Sequence, residues 1–474
     1  MRFKRFSEIY GEDCGLSREE PLLIGFSGGP DSLALLHALH QVGANVVVAH
    51  LDHGLRPESA QEARQAEVIA SSYGFPRFTE RAEISAFAER HSMSIEEAAR
   101  ELRYGFLFRV AEEQGAQAVA VAHNADDQVE TVLMHLLRGA GPRGLRGMSM
   151  RLLPNPWSET IPLVRPLLSF WRQEILEYCE ANGLQPLQDL SNLDTTFFRN
   201  RLRHELLPQL DQISPGIKLR LRQTADLLRD ESEVVDRLAD EAWARCLSSH
   251  DHAYIRLHRG AFLDEPLALQ RILLRRAAEM LRPDLRDLDY AAVRRALDLV
   301  GQPVSAPQDW AIGLYLLNEG EYFWVADWEA DLPVDWPQAP AQGVHLEVPA
   351  AVELNLGWRF ELQEAVPVRS KAEQNQDPFE AWLDRDRVGD DLVLRRRHPG
   401  DRIQPLGMDD GSLKLADFMV NEKMPKRARD GWPLLCKNGE IIWMPGYRLA
   451  HPYRLRDDTN RAIHVSLQRS NGRV

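Results

Sequence analysis

Six consecutive residues, Ser27-Gly28-Gly29-Pro30-Asp31-Ser32, join an apolar run at Leu22–Phe26 to a stretch whose Leu33, Leu35, Leu36, Ala38 and Leu39 read as a buried helical face. A strand, a glycine-rich turn and a helix N-terminus in that order make a concave row of backbone N–H groups beside the positive end of a helix dipole. That is an anion site, and phosphate is its usual guest. Gly28 and Gly29 allow positive φ and close approach of a ligand to the backbone, and the Ser27 and Ser32 hydroxyls can add hydrogen bonds. Asp31 repels a phosphate unless a divalent cation lies between them, so magnesium at Asp31 is implied. The turn contains neither GxxxxGK[ST] nor GxGxxG.

Two more polar clusters follow apolar runs. Asn45–Leu51 ends in His50-Leu51-Asp52-His53-Gly54-Leu55-Arg56, and Ala118–Ala122 is followed by His123-Asn124-Ala125-Asp126-Asp127-Gln128-Val129-Glu130-Thr131. His50, Asp52 and His53 have ligand chemistry, but spacing fixes no third ligand, and histidines that cap strand ends or touch a nucleotide base account for them as well. Asp126 and Asp127 can complement a helix dipole, hold magnesium or take a proton from a nucleophile, and spacing leaves all three open.

The elements that must position these residues alternate. Glu58–Tyr73 is helical in pattern, Arg77–Thr79 suits a short strand, and Ser94-x-x-Glu97 is a capping box opening a helix to about Gln114, striped by Ala98, Leu102, Phe106 and Val110. Strands alternating with helices predict an α/β fold with a doubly wound, mostly parallel sheet. Ligands of such sheets sit beyond the carboxyl ends of the strands, so all three polar clusters converge on one edge.

A chain of 474 residues is too long for one core and implies two or three domains. The basic start, Met1–Tyr10, has no apolar segment after it, and no apolar stretch is long enough to span a bilayer. Four scattered cysteines without a CxxC pair argue against a zinc site, an iron–sulfur cluster or a disulfide framework and fit a reducing cytoplasm. A net charge of −14 argues against non-specific coating of nucleic acid. Two stretches run against that charge: Arg199–Arg229 has seven Lys/Arg against three Asp/Glu, and Arg385 to the C-terminus has eighteen against twelve.

Farther along, the Gly-rich run Arg138–Met148 reads as a flexible basic loop, either a clamp over phosphates or a mobile linker. Ser169–Gly183 is a helix. Asp189-Leu190-Ser191-Asn192 and Phe197-Phe198-Arg199-Asn200-Arg201 follow, and Arg199 is a candidate for phosphate binding. Ile213-Ser214-Pro215-Gly216 closes a first domain, 1–215. Residues 216–330 read as mainly helical, with a long helix over Ile217–Leu247, two helices within Pro266–Val300 and a hairpin at Ala311–Val325. Residues 331–377 read as a connection. Residues 378–474 form a small α+β domain with a turn at Asn438-Gly439 and basic runs at Arg395–Arg402 and Lys423–Arg429.

The wording SGGxDS resembles the pyrophosphate-binding loop of the N-type ATP pyrophosphatases, the PP-loop superfamily. With HLDHGLRPES, EEAARELRYGFL, AHNADDQVETVLMHLLRGAGPRGLRGM, VRPLL and FFRNRLRHELLPQL in this order, the first 215 residues resemble the tRNA(Ile)-lysidine synthetases. The pattern RxxxPGDR…GxxKLxDF…KxPxxxR resembles their C-terminal domain, which contacts the tRNA acceptor stem. Position 124 is Asn where many relatives carry a second His. The resemblance implies ATP-dependent ligation of L-lysine to C2 of the wobble cytidine of tRNA(Ile) with a CAU anticodon, through an adenylated cytidine. It implies ATP at Ser27, Gly28, Gly29, Pro30, Asp31 and Ser32, Mg2+ at Asp31, lysine activation by Asp127, and phosphate stabilisation by Arg103 and Arg199. A homodimer is compatible with it. A tRNA cytidine 2-thiolase of the same superfamily would need the CxxC pairs that are absent. A nucleotide-responsive RNA-binding protein without turnover would not need Asp127, Arg103 and Arg199. A small-substrate amide ligase would leave both basic regions unexplained.

Overall fold

The computed structural model describes residues 5–54, 59–187, 198–283, 288–302 and 306–469. Leu55 and Arg56 of the second polar cluster, Glu58, the stretch Asp189–Asn192, Phe197 and Asp284 lie outside the described residues. The chain divides into two compact units, Met1–Asp236 and Arg237–Val474.

The first unit is built on a six-stranded sheet. Its elements are β1 (Leu22–Gly25), α1 (Pro30–Gln41), β2 (Val46–Asp52), α2 (Ser59–Ser71), β3 (Arg77–Arg81), α3 (Ile84–His91), α4 (Ile95–Glu113), β4 (Ala118–Ala120), α5 (Ala125–Leu137), β5 (Arg151–Leu152), β6 (Leu163–Val164), α6 (Arg172–Ala181), a helical run over 198–213, and, as far as Asp236, α7 (Ile217–Cys246). The strand order is β3-β2-β1-β4-β6-β5, parallel except where the two-residue β5 runs against β6.

Burial on both faces explains the unbroken apolar runs of β1 and β2. Successive side chains point to opposite faces of a strand. Leu22 and Ile24 thus pack with Leu33, Leu36 and Ile175 on one side, while Leu23 and Val119 pack with Tyr104, Leu107 and Val110 of α4 on the other. The sheet is therefore doubly wound, as expected. The order reverses between β1 and β4, and their carboxyl ends carry the Ser27–Ser32 turn and the Asn124 cap of α5. A crevice at such a switch point is where ligands of open α/β sheets bind.

In the second unit the helices Leu267–Leu281 and Tyr290–Gly301, read from the sequence as a pair, pack Leu273, Ala277, Val293 and Ala296 against Ile255, Leu257, Phe323 and Val325. The partner is a five-stranded antiparallel sheet. Its centre is the expected hairpin, Leu314–Glu319 with Tyr322–Asp327, flanked by Leu247–His250, Tyr254–His258 and Gln308–Ala311. Beyond it, helix Leu415–Asn421 shares a core with two further antiparallel sheets. The stretch 331–377 supplies strands to both. Val344–Leu346 pairs with Leu392–Arg395, and Trp358–Ala365 pairs along its whole length with Ala462–Arg469. No described helix is long and apolar enough to cross a membrane.

Candidate active site

The turn after β1 is shaped by its glycines and by one serine. Gly28 has φ +80°, and a Cβ there would stand 2.6 Å from Leu187 Cδ1. Gly29 is the N-cap residue of α1, and Pro30 opens the helix, where a missing N–H costs nothing. The buried Ser32 hydroxyl accepts from the Ser27 N–H at 3.3 Å and lies 3.1 Å from the Gly29 carbonyl as donor. Ser32 therefore braces the turn from inside, with its Oγ also 3.2 Å from that of the exposed Ser27.

Asn124 connects this turn to α5. Fully buried, it donates Nδ2–H to Asp31 Oδ1 at 3.0 Å. Its Oδ1 accepts the Asp127 N–H at 3.0 Å, while Asp127 Oδ2 accepts the Asn124 N–H at 2.9 Å, completing a capping box. The other Asp127 oxygen takes Arg199 Nη2 at 3.0 Å and Arg203 Nη2 at 3.3 Å. Both arginines also grip Glu130, through Nε–H donors at 2.6 Å. Asp127 and Glu130 are one helical turn apart on α5, and Arg199 and Arg203 one turn apart on the run over 198–213. Two complementary rows of charge thus interlock. Asp31 receives a further cation, Arg172 Nη1 at 3.3 Å, and Asp126 accepts Lys218 Nζ at 2.8 Å and the Arg172 N–H at 2.9 Å.

Burial pushes the Asp31 carboxyl above the usual carboxylate range, opposed by Arg172 and the Asn124 hydrogen bond, and Asp126 adds to the rise. Asp127 is raised for the same first reason, opposed by Arg199 and reinforced by Glu130 and Asp31. Acids that raise one another beside such a turn would be relieved by a divalent cation, so their charge is compatible with magnesium. His123 is held well below the ordinary imidazole range by burial and by Arg165, Arg199, Arg103 and Arg100. It is neutral, with Nδ1 accepting from Arg165 Nε at 3.3 Å. Arg103, half-buried on α4, has no hydrogen-bond or ion-pair partner among the described residues. Burial, Arg100 and Arg199 all lower its proton affinity.

The structure thus joins Asp31, Asp127 and Arg199 in one hydrogen-bonded chain through Asn124 and sets Arg103 in the adjoining cationic surface. His50 and Asp52 serve the backbone instead: His50 Nδ1 lies 2.8 Å from the Phe26 carbonyl, and Asp52 accepts the Gly54 N–H at 2.9 Å. Among the described residues no cluster of three or more His, Cys, Asp or Glu is arranged to hold a metal. The run Arg138–Met148, expected to be flexible, is pinned. Gln128 accepts the Met148 N–H at 2.7 Å and donates to the Met148 carbonyl at 3.1 Å, and Arg229 Nη2 donates to the Arg146 carbonyl at 3.1 Å. Sequence reasoning missed Glu130, Arg203, Arg172 and Lys218 as site residues. The i, i+3 spacing of Asp127 with Glu130 and the i, i+4 spacing of Arg199 with Arg203 were the available signal.

Residues 2–210 match the family model of the PP-loop domain, and residues 392–465 match that of the TilS substrate C-terminal domain. The chain is similar to a tRNA(Ile)-lysidine synthase of Dehalococcoides mccartyi, with 34% identity over 99% of each chain. It is 36% identical to one of Symbiobacterium thermophilum over 94% of each. A solved TilS C-terminal domain aligns at 25% identity over 28% of this chain and 100% of its own, with a TM-score of 0.24.

Proposed function

This chain belongs to the tRNA(Ile)-lysidine synthase family and is a C–N bond-forming ligase, and we propose that it joins the ε-amine of L-lysine to C2 of the wobble cytidine in the CAU anticodon of tRNA(Ile). The observation that carries this reading is the hydrogen-bonded chain Asp31–Asn124–Asp127–Arg199, which links a phosphate turn to a buried carboxylate and a guanidinium at one sheet edge.

Cytidine C2 holds its oxygen too firmly for an amine to displace it directly. In the first step O2 attacks the α-phosphorus of ATP, the bond to the β-phosphate oxygen breaks and pyrophosphate leaves. The turn Ser27–Ser32 holds the departing phosphates on backbone N–H groups. A magnesium ion held at Asp31 would offset their charge. Arg103, free of any carboxylate among the described residues, and Arg199, anchored by Glu130, stabilise charge on the transferring phosphoryl group.

In the second step the lysine nitrogen attacks C2, the C2–O2 bond breaks, and AMP departs with that oxygen. A protonated amine has no lone pair, so the ammonium must first lose a proton. Asp127 accepts it. Its burial raises its basicity above that of a surface carboxylate, and Oδ2, which among the described residues accepts only the Asn124 N–H, keeps a lone pair for the proton. The target base leaves the anticodon stack, at modest cost in a single-stranded loop. Contacts of the C-terminal region with the acceptor stem then distinguish this tRNA from a methionine tRNA with the same anticodon.

We place the reaction in the cytoplasm, a placement supported by four buried, unbridged cysteines. The test is mass spectrometry of an unmodified CAU tRNA(Ile) transcript incubated with the protein, ATP, magnesium and lysine. A lysine-sized, ATP-dependent mass increase at the wobble cytidine is expected. ATP cleaved to AMP without that adduct would remove lysine from the proposal.

A further inference from the structure

Arg100, Tyr104 and Phe108 recur every fourth residue on α4 and so form one ridge. Trp157, from the loop between β5 and β6, lies across it. Its ring is stacked on Tyr104 with centroids 4.1 Å apart and planes 14° apart, and stands 5.9 Å from Phe108. The Arg100 guanidinium carbon is 4.7 Å from the Tyr104 centroid and 5.6 Å from that of Trp157. The ridge runs from buried Phe108 to exposed Arg100.

The loop is built to hold the tryptophan there. Asn155 Oδ1 accepts the N–H groups of Trp157 and Ser158, both at 3.1 Å, and its Nδ2 donates to the Ile161 carbonyl at 2.8 Å. Ser158 Oγ accepts the Ile161 N–H at 2.9 Å. A guanidinium resting on an aromatic face is oriented without losing charge, leaving its N–H groups for an anion. Arg109, Arg146, Arg172, Arg199 and Arg203 of this unit are each bonded to a carboxylate. Arg100 has no hydrogen-bond or ion-pair partner among the described residues, and it lies one helical turn from the equally unpaired Arg103. In a chain of net charge −14, two adjacent unneutralised arginines mark a place where negative charge arrives from outside.

We propose that Arg100, backed by the Tyr104–Trp157 stack, is a positioning residue that takes a backbone phosphate of the anticodon loop beside the reacting cytidine. The inference rests on the ligase reading above. ATP is served by the turn at the start of α1, whereas Arg100 stands at the exposed end of its ridge, where a polymeric anion can reach it. The contact fixes the register of the loop and reads no base.

The test uses the full chain with Arg100→Ala, Arg100→Lys and Trp157→Leu. Binding of an unmodified tRNA transcript is measured across a salt series beside steady-state kinetics. Arg100→Ala is expected to weaken tRNA binding about tenfold and to make the slope of log K against log salt shallower by about one. The KM for ATP should stay unchanged. Arg100→Lys should keep the salt slope and recover part of the affinity. Trp157→Leu, which leaves the charge but removes its support, should raise the KM for tRNA alone. A raised KM for ATP with intact tRNA affinity would assign Arg100 to the nucleotide and overturn the proposal, as would tRNA binding equal to wild type in Arg100→Ala. The salt slope is read without turnover, so a wild-type protein that makes no lysidine would defeat the ligase reading while leaving this inference to be judged on binding.

Discussion

Arg199 Nε and Glu130 Oε2 are 2.6 Å apart, and the Glu130 side chain is only 1% exposed. Arg203 binds the other Glu130 oxygen at the same distance, so one buried carboxylate sets two guanidinium groups that both continue to Asp127. Removing one partner of such a group leaves uncompensated charge in the interior. Glu130→Ala is expected to lower stability by about 3–5 kcal/mol and to reduce turnover with it. Glu130→Gln keeps the shape and should unfold less readily than Glu130→Ala, yet still lose rate because Arg199 is no longer held. Urea unfolding alongside kinetics checks both. An unfolding midpoint for Glu130→Ala equal to wild type would sink the assignment.

Asp127→Asn preserves size at the capping box but removes the proton acceptor. Lysine attack on tRNA adenylated beforehand should slow by about 10²–10⁴-fold, while formation of the adenylated tRNA continues. Because burial raises the Asp127 carboxyl, its ionised form appears only above the ordinary carboxylate range. The wild-type rate of this step should therefore fall on the acid side at a pH higher than a surface aspartate would impose. Single-turnover pH profiles measure this, and an acid limb identical in Asp127→Asn would assign it to another group. Asp31, raised in the same direction, is separated from it by assaying the adenylation step alone.

Gly28→Ala meets two obstacles. The φ of +80° is unfavourable for any Cβ, and the added atom would lie 2.6 Å from Leu187 Cδ1 and 3.4 Å from Ala66 Cβ. Backbone strain of this kind costs about 1–3 kcal/mol, and it falls on the turn proposed to hold the phosphates. ATP affinity should drop with little change in tRNA binding. Leu187→Ala in the same chain should recover only the part due to the contact. Full recovery would mean that φ contributes nothing, contrary to this account.

What could be read from the residues depended on how local the cause was. The Ser94–Glu97 capping box, the hairpin turn at Asn318–Gly320 and the two-faced burial of β1 and β2 are set within a few neighbours, and all are found. The grip of Arg199 on Glu130 joins positions 69 apart, and the spacing within each row, even if noticed, could not have shown that the rows meet. The run Arg138–Met148 looked mobile because its glycines are visible locally, whereas Arg229, which holds it, lies 83 residues beyond Arg146. Strands as short as Val344–Leu346 carry no readable alternation, so their pairing with Leu392–Arg395 is a tertiary fact.

The basic C-terminal region contains cations of two kinds, and mutation should separate them. Arg395 and Asp401 form a paired fork at 2.8 and 3.0 Å, each about a tenth exposed. Lys414 and Lys426 are exposed, and their side chains have no hydrogen-bond or ion-pair partner among the described residues. Burial alone would raise the Asp401 carboxyl, but Arg395 and the His398 N–H outweigh it and hold it below the usual range. A depressed carboxyl contributes stability above its unfolded value of about 3.9, and that contribution is lost as pH falls through the folded value. Asp401→Asn should therefore be less stable at neutral pH and flatter in its acid dependence than wild type. Lys414→Glu with Lys426→Glu should leave melting unchanged while weakening tRNA binding and reducing its salt slope by about two. Melting curves at several pH values and a salt series of tRNA binding decide the matter. If the lysine pair shifts melting but not binding, the tRNA contact must lie on another face of this region.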